Sequence, residues 1–412
     1  MAKPDLRISV LSDVHVTHFG AGEDAFEHAL QFHSEKLPES DLYLFTGDII
    51  YQLDSSSEST CNNVYESNYD FVMKTVDKYI PDIPKIFVVG NHEFPQNNTD
   101  PELTEKSLEV WRRKTGQPIM EHVILNDYHF IKAPIRSWAM ESNPEQEIWL
   151  KNELKNALSD GDRPVFFLSH TSLHRTIGCS SQTPKSFSED FRAFLTENPR
   201  IIHISGHMHN HILDEKCIYQ EGFTSLSAPV CGVGYICIGG CNYLNPPVFD
   251  FSQSLFLEVT GNTVQVFRVD LISQKIIGSP WTIDINETTK GVFRYGADRA
   301  ETAKRPAFSP EAGVSAVVED RHVFADVVQK FVTFDVVVPY YMVTVTNDAG
   351  ETILERAEHT DFYNLSQDAS YADTFRLDLG EFPSGTYTLK VFAANSFFAH
   401  DGNAISCTFA VK

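Results

Sequence analysis

The sequence predicts an α/β fold with two sheets between helical layers, followed by an all-β sandwich. Three observations predict it. Residues 1–210 alternate short apolar runs with longer polar–apolar stretches of helical spacing. From Glu121 to about Ile285 further strand-like pieces are added beside that βαβ core. After Arg321 the pattern becomes all β, with turn signals between short strands over about 90 residues.

The strands of the first part are Leu6–Leu11, Leu42–Phe45, Ile86–Val89, Val165–Leu168 and Ile201–Ile204. Each is short and rich in Val, Ile, Leu or Phe, as strands covered on both faces should be. Helical spacing falls near Asp24–Leu37, Tyr69–Tyr79, Glu102–Lys114, Glu145–Leu158 and Ser188–Leu195. Asn143-Pro144 followed by acidic residues is a helix start. The added strands include Tyr128–Ala133, Ser254–Val259 and Val264–Val269, the last two joined by a Thr260-Gly261-Asn262 turn. Residues 286–320 shift toward polar and Pro-containing segments and read as a linker or a wrapped arm. Phe331–Val338, Tyr341–Thr346, Thr374–Leu379, Tyr387–Ala393 and Ile405–Val411 then supply the sandwich. The expected division is residues 1–290, an arm at 291–320, and a β-sandwich at 321–412. The stretch Gly385 to Asn395 resembles a late strand of fibronectin type III or immunoglobulin-like modules.

Composition narrows the class. A chain of 412 residues should form more than one domain. With 42% hydrophobic and 22% charged residues it is of globular type. A net charge of −23 argues against a nucleic-acid or acidic-membrane surface, which would need clustered Lys and Arg. No run of about 18 apolar residues is present, so no transmembrane helix is expected. The first apolar run is too short for a signal-peptide core. Cytoplasmic residence is therefore expected, or export if a leader has been removed. The seven cysteines fit a reducing compartment. Cys231, Cys237 and Cys241 cluster without a CxxC pair and read as packing residues.

Five segments carry the chemistry: Asp13-Val14-His15, Gly47-Asp48, Gly90-Asn91-His92-Glu93, Ser169-His170 and Gly206-His207-Met208-His209. Most follow an apolar run directly, and an open α/β sheet presents side chains to ligands at the carboxyl ends of its strands. A lone Asp there is usually a helix cap. Imidazole, carboxylate and a side-chain carbonyl together are donors suited to Zn, Mn, Fe or Ni. His203 sits inside a strand run and reads as packed; His211 reads as a loop or supporting residue.

The five segments, in this order from Asp13 to His209, resemble the calcineurin-like metallophosphoesterase superfamily. The resemblance implies a four-layer αββα sandwich, here extended by the C-terminal all-β sandwich. It also implies a cofactor of two divalent transition-metal ions. Asp13, His15, Asp48 and His209 would hold one ion. Asp48, Asn91, His170 and His207 would hold the other, with Asp48 shared. Water between such ions becomes a nucleophile near neutral pH, and His92 would protonate the leaving group. The implied partner is a small phosphate ester, monoester or diester. The terminal sandwich could serve a protein partner.

In one branch of the superfamily a carboxylate stands three residues after the shared Asp. Here that position is Tyr51. Gly47-Asp48-Ile49-Ile50-Tyr51 resembles purple acid phosphatases, whose Tyr at this spacing binds ferric iron, but those lack a His at the position of His15. With His15 present, Tyr51 reads as a pocket wall. His18 and His174 follow ligand positions and are candidates for the same wall. The polar insert Asp54 to Thr60 and the segment Gly232 to Tyr235 could shape access. Two other functions stay open: a purple-acid-type phosphatase, and a binding or scaffold protein that keeps the fold without catalysis.

Overall fold

Strand β1 (Leu6–Leu11) pairs in parallel with β2 (Leu42–Phe45), and β2 with β3 (Lys85–Phe87). In this computed structural model the described residues are 3–16, 21–51, 58–95, 100–133, 140, 143–178, 180–181, 185–232, 237–238, 242–243, 251–332, 337–362 and 371–412. His18, Cys241 and most of the 54–60 and 232–235 segments lie outside them, as does the side chain of Cys237.

The second sheet uses β4 (Glu121–Leu125), β5 (Tyr128–Lys132), β6 (Val165–Leu168), β7 (Ile201–Ser205), β8 (Ile218–Gln220) and β9 (Thr224–Ser227), in the order β4-β5-β6-β7-β9-β8. A two-residue pair, β10 (Cys237–Ile238) and β11 (Asn242–Tyr243), stands apart. Then β12 (Gln253–Thr260), β13 (Thr263–Asp270) and β14 (Lys275–Asp284) return antiparallel to β1 and complete the first sheet as β14-β13-β12-β1-β2-β3.

Side-chain alternation makes four layers of these two sheets. Leu6, Ile8 and Val10 meet Phe130, Phe166, Ile202 and Ile204 in a core between the sheets. The opposite face of the first sheet (Tyr43, Phe45) packs on α1 (Ala21–Glu35), α2 (Glu58–Tyr79) and α3 (Pro101–Thr115). Phe167 and Ile131 pack on α4 (Pro144–Ser159) and α5 (Glu189–Thr196). The α4 start is as expected: the Asn143 side chain caps the Glu145 amide at 2.8 Å, with Pro144 in the first turn. α2 starts eleven residues before the expected Tyr69; its first turns are mostly polar, with only Cys61, Val64 and Tyr65 as apolar residues ahead of Tyr69.

The chain divides into two compact units, residues 1–212 with 217–296, and residues 213–216 with 297–412. The second unit stacks a three-stranded sheet, β15-β16-β19, on a four-stranded sheet, β18-β17-β20-β21. Its strands are β15 (Gly313–Glu319), β16 (His322–Val328), β17 (Tyr340–Asn347), β18 (Thr352–His359), β19 (Thr374–Glu381), β20 (Gly385–Ala394) and β21 (Ile405–Val411). β15 lies inside the stretch read as an arm. It is paired to β16 through all seven residues, yet none of its side chains is fully buried, so its apolar period is weak. Residues 333–336 of the expected Phe331–Val338 strand are outside the described set. Among the described residues no helix is long and apolar enough to cross a membrane.

Two histidines inside the first unit predict acid sensitivity. His33 is fully buried between Ser9 and Ser254, at 2.6 and 2.7 Å from their hydroxyls. His203 is fully buried at 2.8 Å from the Ser169 hydroxyl. Burial pulls each imidazole down to about 3. The unfolded chain titrates near 6.5, so it binds the proton first. The stability due to neutral His33 is fully present above 6.5 and is lost as pH falls toward 3. Urea unfolding should show His33→Asn with a pH slope shallower than wild type by about 1.4 kcal/mol per pH unit below pH 6. Parallel slopes would mean that His33 is solvated.

Candidate metal centre

The five segments follow β1, β2, β3, β6 and β7, all at strand carboxyl ends. The turns after β1 and β2 continue the parallel pairing. The Asp13, His15 and Val16 amides donate to the carbonyls of Gly47, Asp48 and Ile49 at 2.9–3.1 Å, and the Tyr51 amide donates to Val16 at 2.9 Å. From the second sheet, the Gly206 amide donates to the His170 carbonyl at 2.9 Å. The segment after β9 closes the far side, where Cys231 and Gly232 donate to the carbonyls of Ser12 and Asp13. Cys231 is buried there, which pushes its thiol up to about 12, so it packs as expected.

These turns are tight enough to force unusual backbone. Asp13, His15, Asp48, His207 and His209 all have φ between 48° and 71°. Such left-handed conformations cost non-glycine residues of order 1–3 kcal/mol each and gather at functional sites. Glycine supplies the close approaches. A Cβ on Gly47, itself at φ 99°, would lie 2.4 Å from His170 Nδ1. One on Gly90 would lie 2.2 Å from Asp48 Oδ1, and one on Gly206 2.1 Å from the Ser12 hydroxyl.

Two donor groups result, each of which could hold a metal ion: Asp13, His15, Asp48 and His209, and Asp48, His170 and His207. Asp48 belongs to both. His209 Nε2 is 3.0 Å from Asp13 Oδ1 and 3.0 Å from His15 Nε2. His170 Nε2 is 3.1 Å from Asp48 Oδ2 and 3.1 Å from Asn91 Oδ1. Asn91 therefore joins the second group through its side-chain oxygen.

The donor chemistry fits a cation. His170 Nδ1 lies 2.8 Å from the Thr46 carbonyl. A carbonyl only accepts, so Nδ1 carries the proton, and a neutral ring turns its Nε2 lone pair toward two oxygens. That is repulsive unless a proton or a metal ion sits between them. Burial opposes charging His170, but the Asp48 carboxylate overcomes it and raises the imidazole to about 9. Burial holds His207 down to about 3, with His170 adding to the effect. Burial alone would lift the Asp13 carboxyl, yet His209 beside it brings it to about 2. His170 shares a proton with Asp48 where a divalent ion would bind, and metal binding would release that proton, while His207 is already neutral.

Glu93 is the residue whose role the sequence left unread. It is buried, and its two oxygens accept the amides of Asp48 (3.0 Å), Ile49 (2.8 Å), Ile50 (3.4 Å) and Gly90 (2.5 Å). It ties the β2 turn to the β3 turn. Burial, reinforced by Asp48, pushes its carboxyl up to about 7. Glu93→Gln would set an amide NH₂ against two of these N–H donors. Two unpaired buried donors at about 1–3 kcal/mol each should lower unfolding stability by roughly 2–6 kcal/mol. Metal affinity should fall about 10–100-fold as the turns loosen. Urea unfolding and competitive Zn²⁺ titration check both; wild-type values in both would remove Glu93 from this role.

His92 lies beside the groups. Its amide donates to Asp48 Oδ1 at 2.7 Å, and its Nε2 is 4.0 Å from Asp48 Oδ2. Its side chain stays 16% exposed, more than that of Asp13 or Asp48. Tyr51 lies flat on it. The other candidates sit elsewhere. His174 lines a cavity of about 230 Å³ with Leu173, Arg175, Lys185 and Arg192, none of which belongs to either donor group. His211 accepts from Gln253 at 2.9 Å, and the Gln253 oxygen takes the Ile212 amide, which anchors the chain after His209.

The sequence model of calcineurin-like phosphoesterases matches residues 6–211. No protein of curated function matches the chain. Among solved structures the chain is similar to a predicted phosphoesterase of Streptococcus pneumoniae TIGR4, at 13% identity over 69% of this chain and 99% of that one, TM-score 0.32. It is similar to GAP50, the anchor in the inner membrane complex of Plasmodium, at 14% identity over 71% and 96%, TM-score 0.41. It is also similar to Vps29 of Entamoeba histolytica, at 12% over 68% and 99%, TM-score 0.30. At these identities and scores none of the three bears on what this chain does.

Proposed function

The chain belongs to the calcineurin-like phosphoesterase family, and from that membership we propose that it hydrolyses a phosphate ester with two divalent metal ions. The observation that carries the reading is the shared Asp48, which is common to the two donor groups. Asp13, His15, Asp48 and His209 would hold one ion; Asp48, Asn91, His170 and His207 would hold the other. The ions are of the Mn, Fe, Zn or Ni kind, given the mixed nitrogen and oxygen donors. When bound they supply Lewis acidity toward phosphoryl oxygens and lower the pKa of water.

The protein's own groups do the rest. Asp48 keeps the two donor groups close. Asn91 contributes an uncharged oxygen, so the second group carries less negative charge. His92, the more exposed imidazole beside Asp48, delivers a proton to the leaving oxygen. The C-terminal unit contributes no residue to either group, and we assign it to partner binding or to access for a larger substrate.

A panel of an aryl phosphodiester, an aryl phosphomonoester and cyclic nucleotides, each with added Mn²⁺ or Zn²⁺, tests the reading. Hydrolysis abolished by a chelator and restored by metal is expected. Full metal loading with no hydrolysis of any ester would leave the scaffold alternative standing. A purple-acid-type centre would show visible charge-transfer absorption from Tyr51 on iron, and its absence in the iron-loaded protein rejects that alternative.

A further inference from the structure

We propose that Tyr51 is a positioning residue for His92, holding the plane of the imidazole by stacking; this rests on His92 acting as the proton donor. The two ring centroids are 4.4 Å apart with planes inclined by 23°. That is a close, nearly parallel stack, at the short limit of the favourable centroid range. His15 meets both rings edge-on, at 4.8 Å and 90° from His92 and at 5.6 Å and 68° from Tyr51. His92 is therefore boxed by the Tyr51 ring stacked on it and by the perpendicular ring of His15.

The box has fixed walls. The Tyr51 amide is tied to the Val16 carbonyl, in the same ladder that sets Asp13 and His15. His15 stands in the donor group. The His92 main chain is fixed by its amide on Asp48, so the ring plane is set by rotation about the two side-chain bonds. A flat aromatic neighbour limits that rotation. Proton delivery depends on ring orientation, and loose orientation of a reacting group lowers the rate.

The work is assigned to the ring of Tyr51 and not to its hydroxyl, so the test compares Tyr51→Leu with Tyr51→Phe. On an aryl phosphodiester with a poor leaving group, Tyr51→Leu should lower kcat about five- to tenfold, the worth of one aromatic pair, with KM and metal content held. Tyr51→Phe should recover most of that loss. In a His92→Ala background, Tyr51→Leu should cost nothing further, since the two residues act as one unit. Ring-proton NMR of His92 gives a readout independent of turnover. The ring-current shift from the stack should persist in Tyr51→Phe and vanish in Tyr51→Leu.

Equal impairment of the Phe and Leu variants would overturn the proposal, because the hydroxyl would then be the working group. So would an undiminished loss in the His92→Ala background, or a His92 ring signal indifferent to residue 51. A wild-type protein that binds metal and hydrolyses nothing would instead remove the phosphoesterase reading. The NMR comparison would still decide whether Tyr51 orients His92.

Discussion

Changing Asp48 to Asn is expected to empty both metal positions together and to cut hydrolysis by roughly 10³-fold or more, which corresponds to several kcal/mol of lost charge stabilisation. Asp48 is buried to 1% exposure and is the member common to the two donor groups. The substitution keeps shape and removes charge. In the second group it leaves the neutral Asn91 with two imidazoles and no carboxylate. In the first it leaves one carboxylate where there were two. Elemental analysis of dialysed protein should fall from two ions per chain to fewer than one. Thermal unfolding gives a second check. A ligand at 100 times its Kd stabilises the native state by about 2.7 kcal/mol, so wild type should melt higher with added metal and the variant should not. One tightly held ion, unaffected by the change, would exclude a shared carboxylate.

The placement of that residue was legible in the sequence for a simple reason. β2 and β6 are buried throughout and read as unbroken apolar runs, while β1 and β7 are mostly apolar, broken by Arg7 and Ser9 and by His203; a chemical segment begins where each of these runs stops. The backbone of the site was not legible. A positive φ can be suspected at Gly47, but nothing in the residue types of His15 or His207 announces one. Glu93 was equally silent: beside His92 it reads as one more carboxylate, and only the convergence of four amides on it shows a tie between two turns. In the second unit, β18 (TILERAEH) has no fully buried side chain along its length and so lacks the alternation that marks a strand. β14 carries Gly278 and Pro280 and exposes most of its first half as a sheet edge, where neither face imposes an apolar pattern. The sequence signal followed burial and weakened where burial did.

Replacing His92 by Ala separates proton delivery from metal binding. The His92 ring lies 4.0 Å from Asp48, stacks on Tyr51 and meets the His15 ring at 4.8 Å, and neither donor group includes it. Both ions should therefore remain. The rate should not: removal of a positioned general acid costs about 10²–10⁴-fold in kcat. The size of the loss should depend on the ester. A leaving oxygen of low basicity departs without a proton, so an activated aryl phosphodiester should lose little. An alkyl or unactivated aryl ester has to be protonated and should lose most. Burial already pulls the His92 imidazole below its ordinary value, with Asp48 opposing it. Proton donation needs the charged ring, which this burial disfavours. The incoming phosphate ester is itself anionic, and an anion beside an imidazole favours the charged ring. The measurement is kcat for wild type and His92→Ala across a series of aryl esters of graded leaving-group basicity. A steeper dependence in the variant supports proton donation. Parallel lines would show that His92 binds the phosphate without giving up a proton, and the acid would then have to be sought among the other groups that line the site.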